Sequence, residues 1–211
     1  MQRLIATAVL AGLVATPAVA QNYQYQPYNP DEGLYLGAGI GEATLDSDTF
    51  DQLDSWGLDT DDSDTAYKLF AGYQFNPNFA LEASYLDFGE FKANATVTDG
   101  VNTATADIDL SFEGFGIALV GKLPIQNGFS LHAKVGMFAW DGEVSGTARY
   151  NGDVIYDGES GGDGTDPYYG LGAEYQINQV ILRAEYERYE LSDSGEDFEI
   201  DVASASLGYR F

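Results

Sequence analysis

Residues 169–187 read YGLGAEYQINQVILRAEYE, and their alternation decides the fold. Tyr169, Leu171, Ala173, Tyr175 and Ile177 fall on one side of an extended chain, with Gly170, Gly172, Glu174 and Gln176 on the other. After a turn centred on Asn178, Val180, Leu182, Ala184 and Tyr186 stand against Arg183, Glu185 and Glu187. Period two is the signature of a strand. Here the apolar row carries no charge, and every charge falls on the opposite row. Lys, Arg and Glu facing each other are hard to place in the core of a soluble sandwich.

The same texture recurs along the chain. Runs are expected at about 33–43, 65–75, 79–88, 108–123, 129–140, 168–177, 179–191 and 200–211. Tyr67, Leu69, Ala71, Tyr73 and Phe75 oppose Lys68, Gly72 and Gln74, and Phe79, Leu81, Ala83 and Tyr85 oppose Glu82 and Ser84. Phe129, Leu131, Ala133, Val135 and Met137 oppose Ser130, His132, Lys134 and Gly136; Ala203, Ala205, Leu207, Tyr209 and Phe211 oppose Ser204, Ser206, Gly208 and Arg210. The first run, Leu34, Leu36, Ala38 and Ile40 against Tyr35 and three glycines, is assigned by analogy. In the fourth, the outward set reads as changing from Ile108, Leu110 and Phe112 to Phe115, Ile117 and Leu119, with a bulge at Gly114.

Connections alternate short and long. Asn76–Asn78, Pro124–Gly128 and Asn178 are turns; 42–64, 87–107, 145–166 and 192–199 read as long acidic loops. An even number of strands, short turns on one end and long loops on the other describe an all-β, eight-stranded antiparallel transmembrane up-and-down barrel, with its turns in the periplasm. Aromatics near both ends of the apolar rows fit two interfacial girdles.

Other features bound the reading. Residues 1–20 are read as a cleaved signal peptide: Arg3, the apolar run Leu4–Ala15, and an Ala18-Val19-Ala20 cleavage site. Residues 21–32 read as a short periplasmic tail and 33–211 as the barrel domain. The chain has no cysteine, which excludes disulfides, thiolate metal sites and lipid attachment through Cys. A net charge of -25 argues against nucleic acid as a partner. With 14% aromatic residues the chain is unlike a disordered acidic tail, so the carboxylates belong in water-facing loops.

The stretches Ala66–Phe75 with Asn76-Pro77, Leu81–Tyr85, Val120–Ile125, Ala133–Trp140, Glu174–Ile177, Leu182–Tyr186 and Ser206–Phe211 together resemble the transmembrane barrel of the outer membrane protein A (OmpA) family and its small-barrel relatives. The periplasmic peptidoglycan-binding domain frequent in that family has no counterpart in this sequence, and the loops are more acidic than the family pattern. The resemblance implies a bacterial outer-membrane location at the Gram-negative cell surface, surrounded by lipid and lipopolysaccharide. It also implies that Leu207, Tyr209 and Phe211 form the terminal signal read by the outer-membrane assembly machinery.

The narrow bore of eight strands must be filled by side chains. Lys68, Glu82, Lys122, Lys134, Glu174, Arg183, Glu185, Glu187 and Arg210 form the interior set, with signs that nearly cancel. By resemblance, Glu82, Glu174, Lys122 and Arg183 are candidates for an ion-pair gate. Which cation meets which carboxylate stays open. Ser130 and His132 share an interior row, but the only histidine lies close to the short-turn end, so no catalytic site is assigned and no enzyme is expected. No cofactor or dedicated metal site is expected, because neither acidic cluster, Asp59–Asp64 or Asp153–Asp166, has an EF-hand pattern. Loose divalent-cation bridging by these loops is the alternative to a plain solvated surface. The leading functional reading is a small integral barrel contributing to outer-membrane structure and displaying acidic loops. A narrow ion pore gated by interior salt bridges, and a surface adhesin acting through the loops, are the alternatives.

Overall fold

In the computed structural model, residues 32–46, 59–193 and 196–211 are described. The signal-peptide reading of residues 1–20 and nearly all of the 21–32 tail lie outside the described residues. Eight strands form the wall: β1 Gly33–Asp46, β2 Ser63–Asn76, β3 Phe79–Thr98, β4 Thr103–Gln126, β5 Phe129–Tyr150, β6 Asp153–Ile177, β7 Val180–Asp193 and β8 Glu196–Arg210. Each pairs antiparallel with the next, and β1 closes the ring on β8 from Tyr35↔Arg210 to Asp46↔Glu199. A three-residue strand, Asp59–Asp61, lies beside β3 outside the ring.

The two faces separate as the alternation requires. Leu69, Leu171 and Leu207 on the outer face are 58%, 67% and 59% exposed, while Lys68 between its outward neighbours is 2% exposed. A closed ring has no edge to satisfy and can therefore stand in lipid, where every backbone polar group needs an internal partner. The outer row of apolar side chains is then the lipid contact. Connections at the short-turn end run Asn76–Phe79, Gln126–Phe129 and Ile177–Val180, with Asn127 and Asn178 at positive φ of 54° and 53°. None of these turns carries a charge.

Two expectations are corrected. Residues 87–107, 145–166 and 192–199 are not long loops but hairpins that continue the barrel strands. β3 and β4 meet around a tip at Asp99–Asn102, and β5 and β6 around Asn151-Gly152 at φ 50° and 88°. Asn-Gly in that conformation makes the two-residue turn whose twist suits a hairpin. The second correction concerns Gly114. The β4 register with β5 is continuous through Gly114↔Trp140, and Leu110 and Phe112 point inward with the even-numbered row below them. The bulge is on β3, where Asp87 faces Glu113 and Glu90 faces Ser111, so one extra residue is inserted. Gly89 sits there at φ 80°. Asp64 holds the bulge, accepting from the N–H of Glu90 and of Thr65, each at 2.7 Å. These two donors keep its carboxyl below the ordinary aspartate range. The bulge moves the inward row from Leu86 and Phe88 to Phe91 and Ala93.

Candidate functional site: the charged interior

All nine residues assigned to the interior are buried, and the structure resolves their pairing. Arg183 on β7 is the hub. Its Nη1 donates to Glu82 at 2.7 Å, while Nη2 and Nε reach Glu174 at 2.9 and 3.2 Å. The planar guanidinium grips Glu174 through two nitrogens while a third reaches Glu82, a fixed fork that the single nitrogen of an ammonium does not offer. Lys122 donates to both oxygens of Glu174 at 2.9 Å. Lys134 lies 2.9 Å from Glu82, 2.7 Å from Glu185 and 3.2 Å from Glu187. Lys68 joins Glu185, at 3.0 Å, and Glu187. Arg210 donates to Gln74 at 2.7 Å and stands 3.9 Å from Glu174. Five cations thus face four carboxylates, and each carboxylate meets at least two of them.

Two members were not in the predicted network. Tyr35 donates to Glu82 at 2.9 Å, and Lys122, Arg183 and Arg210 lie within 5.3 to 5.8 Å of its ring. Room for that ring comes from Gly72, where a Cβ would lie 2.4 Å from it. His132 places Nε2 2.9 Å from Glu185, while its Nδ1 has no hydrogen-bond partner. Ser130, its neighbour on the interior row, lines the open cavity at the short-turn end with Lys122, Glu174 and Gln176.

A feature that sequence reading missed lies immediately above the ion network. Tyr168 and Tyr189, paired across β6 and β7, stack with ring centres 4.8 Å apart and planes 5° from parallel. Phe138 and Phe88 pack edge-on against Tyr189 at 4.9 and 5.0 Å. Higher still, Phe112 meets Trp140 and Phe198 at 5.9 and 5.8 Å. Leu86, Phe91, Leu191, Ile200 and Val202 complete one buried apolar cluster. The interior is therefore in two layers: a charged layer toward the short turns and an aromatic layer toward the hairpins.

A closed ring of eight strands with a lipid-type outer face and a filled bore is the architecture of small outer-membrane barrels. The match extends to the sequence, since the model of the outer membrane protein β-barrel domain matches residues 6–211. The chain belongs to the outer membrane protein β-barrel domain family. No curated protein sequence matches it significantly. Among solved structures it is similar to Neisserial surface protein A, with 14% identity over 87% of this chain and 100% of that one, at a TM-score of 0.57. It is also similar to the attachment invasion locus protein Ail of Yersinia pestis, in complex with the heparin analogue sucrose octasulfate. That match has 16% identity over 86% of this chain and 99% of the other, at a TM-score of 0.54. At these identities the likeness carries the fold alone.

Of the terminal residues assigned to assembly, Leu207 and Tyr209 lie on the outer face of β8 and Phe211 directly follows its last residue. Leu207, Tyr209 and Phe211 are exposed, and the last two rings pack at 5.1 Å.

Proposed function

We propose that this chain is a sealed integral barrel of the bacterial outer membrane, contributing to membrane structure and holding a rigid acidic sheet outside the cell. The observation that carries this reading is the aromatic layer around Tyr168, Tyr189, Phe138 and Phe88. A gate of exchanging salt bridges needs a wet path on both sides of it. Here, among the described residues, the ion network opens toward the short turns, at the cavity lined by Gln74, Lys122, Ser130, Glu174 and Arg210. On the other side stands packed apolar side chain, which strips hydration from any ion. The adhesive interpretation of the loops gains no support from the sucrose octasulfate in the Ail structure. Such a polyanion needs clustered cations, whereas Lys92, Arg149 and Arg188 outside the bore each already face carboxylates.

The test is conductance of the purified chain in planar bilayers. A silent membrane, with the protein shown to be folded by a heat-dependent shift on SDS gels, is the expected result. Discrete conductance steps abolished by Glu82→Gln would overturn it in favour of a gated pore.

A further inference from the structure

β6 leaves the barrel ladder at Pro167. Tyr168 still pairs with Tyr189 on β7, but from Asp166 to Asp153 the strand pairs with β5 alone. Proline has no N–H to offer a neighbouring strand. In place of a ladder, the Ser192 N–H donates to the Asp166 side chain at 3.2 Å, and Trp140 Nε1 donates to the same carboxylate. Among the described residues nothing pairs with the other edge of 153–166. That edge, about 45 Å long at strand rise, presents a row of N–H and C=O groups ready for another strand.

The edge is braced at its tip. The tips of the two hairpins are tied together: Asn151 donates from its N–H to the Thr103 carbonyl at 2.8 Å, and the Asn151 side chain accepts from Thr103 N–H at 2.9 Å and donates to Asn102 Oδ1 at 2.8 Å. A template that is already ordered loses little freedom on binding.

Its two rows have different chemistry. The outward row bears Asp157, Glu159 and Asp163, continued across the register by Asp141 and Glu143 on β5 and by Asp107, Asp109 and Glu113 on β4. No Lys or Arg occurs between Arg149 and Arg183. The inward row is uncharged from Tyr156 to Gly164: Tyr156, with Ile108 and Val144, lines a groove of about 380 Å³ that Gly146, Gly158 and Ser160 also line, with Asp107 and Glu159 beside them. We propose that the free edge of β6 is a β-addition site for an extended basic segment of a partner protein, in which Lys or Arg alternates with apolar residues. The alternation would set the cations beside Asp157, Glu159 and Asp163 and the apolar side chains beside Tyr156. A second copy of this chain is the poorer occupant, because edge-to-edge pairing would oppose the same carboxylates. The inference rests on the strand ladder and is independent of whether the bore conducts.

The experiment uses the folded full chain in detergent micelles and a blocked peptide of about eight residues alternating Lys and Val, long enough for one ordinary strand. Saturable binding is expected, with amide hydrogen-exchange protection confined to residues 153–166. The exposed triple substitution Asp157→Asn/Glu159→Gln/Asp163→Asn should weaken binding roughly tenfold or more while leaving the heat-dependent gel shift intact. Two versions of the peptide, N-methylated on alternate sets of amides, should differ sharply, since one set faces the template and the other faces water. Absence of saturable binding would overturn the proposal. So would equal binding of both methylated peptides, equal binding of a peptide with its Lys and Val in blocks, or protection elsewhere, each of which reports diffuse charge attraction. Protection of 153–166 that grows with protein concentration in the absence of peptide would assign the edge to a second copy instead.

Discussion

Replacing Arg183 with Met tests the charged interior most directly. The side chain makes hydrogen bonds to Glu82 at 2.7 Å and to Glu174 at 2.9 and 3.2 Å, and its guanidinium lies 4.7 Å from the centre of the Phe70 ring. Methionine keeps the packing over Phe70 and removes the charge. Breaking a buried pair costs about 3–5 kcal/mol, because the surviving partner is left charged in a dry site. Here the lower figure applies. Glu82 keeps Lys134 and Tyr35, and Glu174 keeps Lys122. A loss of about 3 kcal/mol is therefore expected, read from urea unfolding of the chain refolded into lipid vesicles. In a Glu82→Gln background the same substitution should cost less, giving a coupling of about 1–3 kcal/mol. Lys134 in that background still has Glu185 and Glu187. A cost for Arg183→Met below about 0.5 kcal/mol, or strictly additive single substitutions, would refute the view that this hub organises the bore.

Three further outcomes follow from the same structure. Truncating two buried rings of the aromatic layer, Phe88→Ala with Phe138→Ala, should cost about 3–5 kcal/mol per site and let small neutral sugars enter loaded vesicles; unchanged sugar entry by a folded double variant would remove the seal from those rings. The Asp64 carboxyl is held low by two backbone donors, so its contribution to stability is complete above the ordinary aspartate pKa and disappears as pH falls through the lowered one. A carboxyl-carbon NMR titration of Asp64 with a midpoint at or above the ordinary aspartate value would contradict this assignment. Removing Phe211 should leave refolding in detergent intact and lower the yield in the outer membrane of cells; an equal loss in both settings would make the residue a stabilising end of β8 rather than an assembly signal.

The wall of the barrel was legible because lipid imposes its rule on every second residue. Any Lys or Glu in the rows Leu69–Phe75 or Leu171–Ile177 would have been conspicuous. The interior set was legible for the same reason. Its pairing was not, because the partners Lys122 and Glu174, or Glu82 and Arg183, are far apart in sequence and meet only when register and ring closure are fixed. The aromatic layer escaped notice for a local reason. Leu110 and Phe112 look like lipid-facing residues, but they are buried and the charged Glu113 on the alternate row is exposed. On β3 the single inserted residue at Gly89 breaks the period, so Phe88 and Phe91 appear unrelated although both point inward. The hairpins look like loops in the sequence because Asp and Gly dominate 151–166 by composition and mask the short Asn151-Gly152 turn signal.

The uncharged turns at Asn76–Phe79, Gln126–Phe129 and Ile177–Val180 have a consequence for how the chain enters a bilayer. Only one end of each hairpin has to be pulled through the hydrocarbon, and in this molecule it is the end bearing Asp107, Asp109, Asp141, Glu143, Asp157, Glu159 and Asp163. The barrier to threading is steep. Once the carboxylates are rehydrated on the far side, the same barrier opposes their return, while the neutral turns lose little by staying behind. Charge placement thus works as a pawl on the insertion reaction: slow to engage without help, and nearly irreversible when it has.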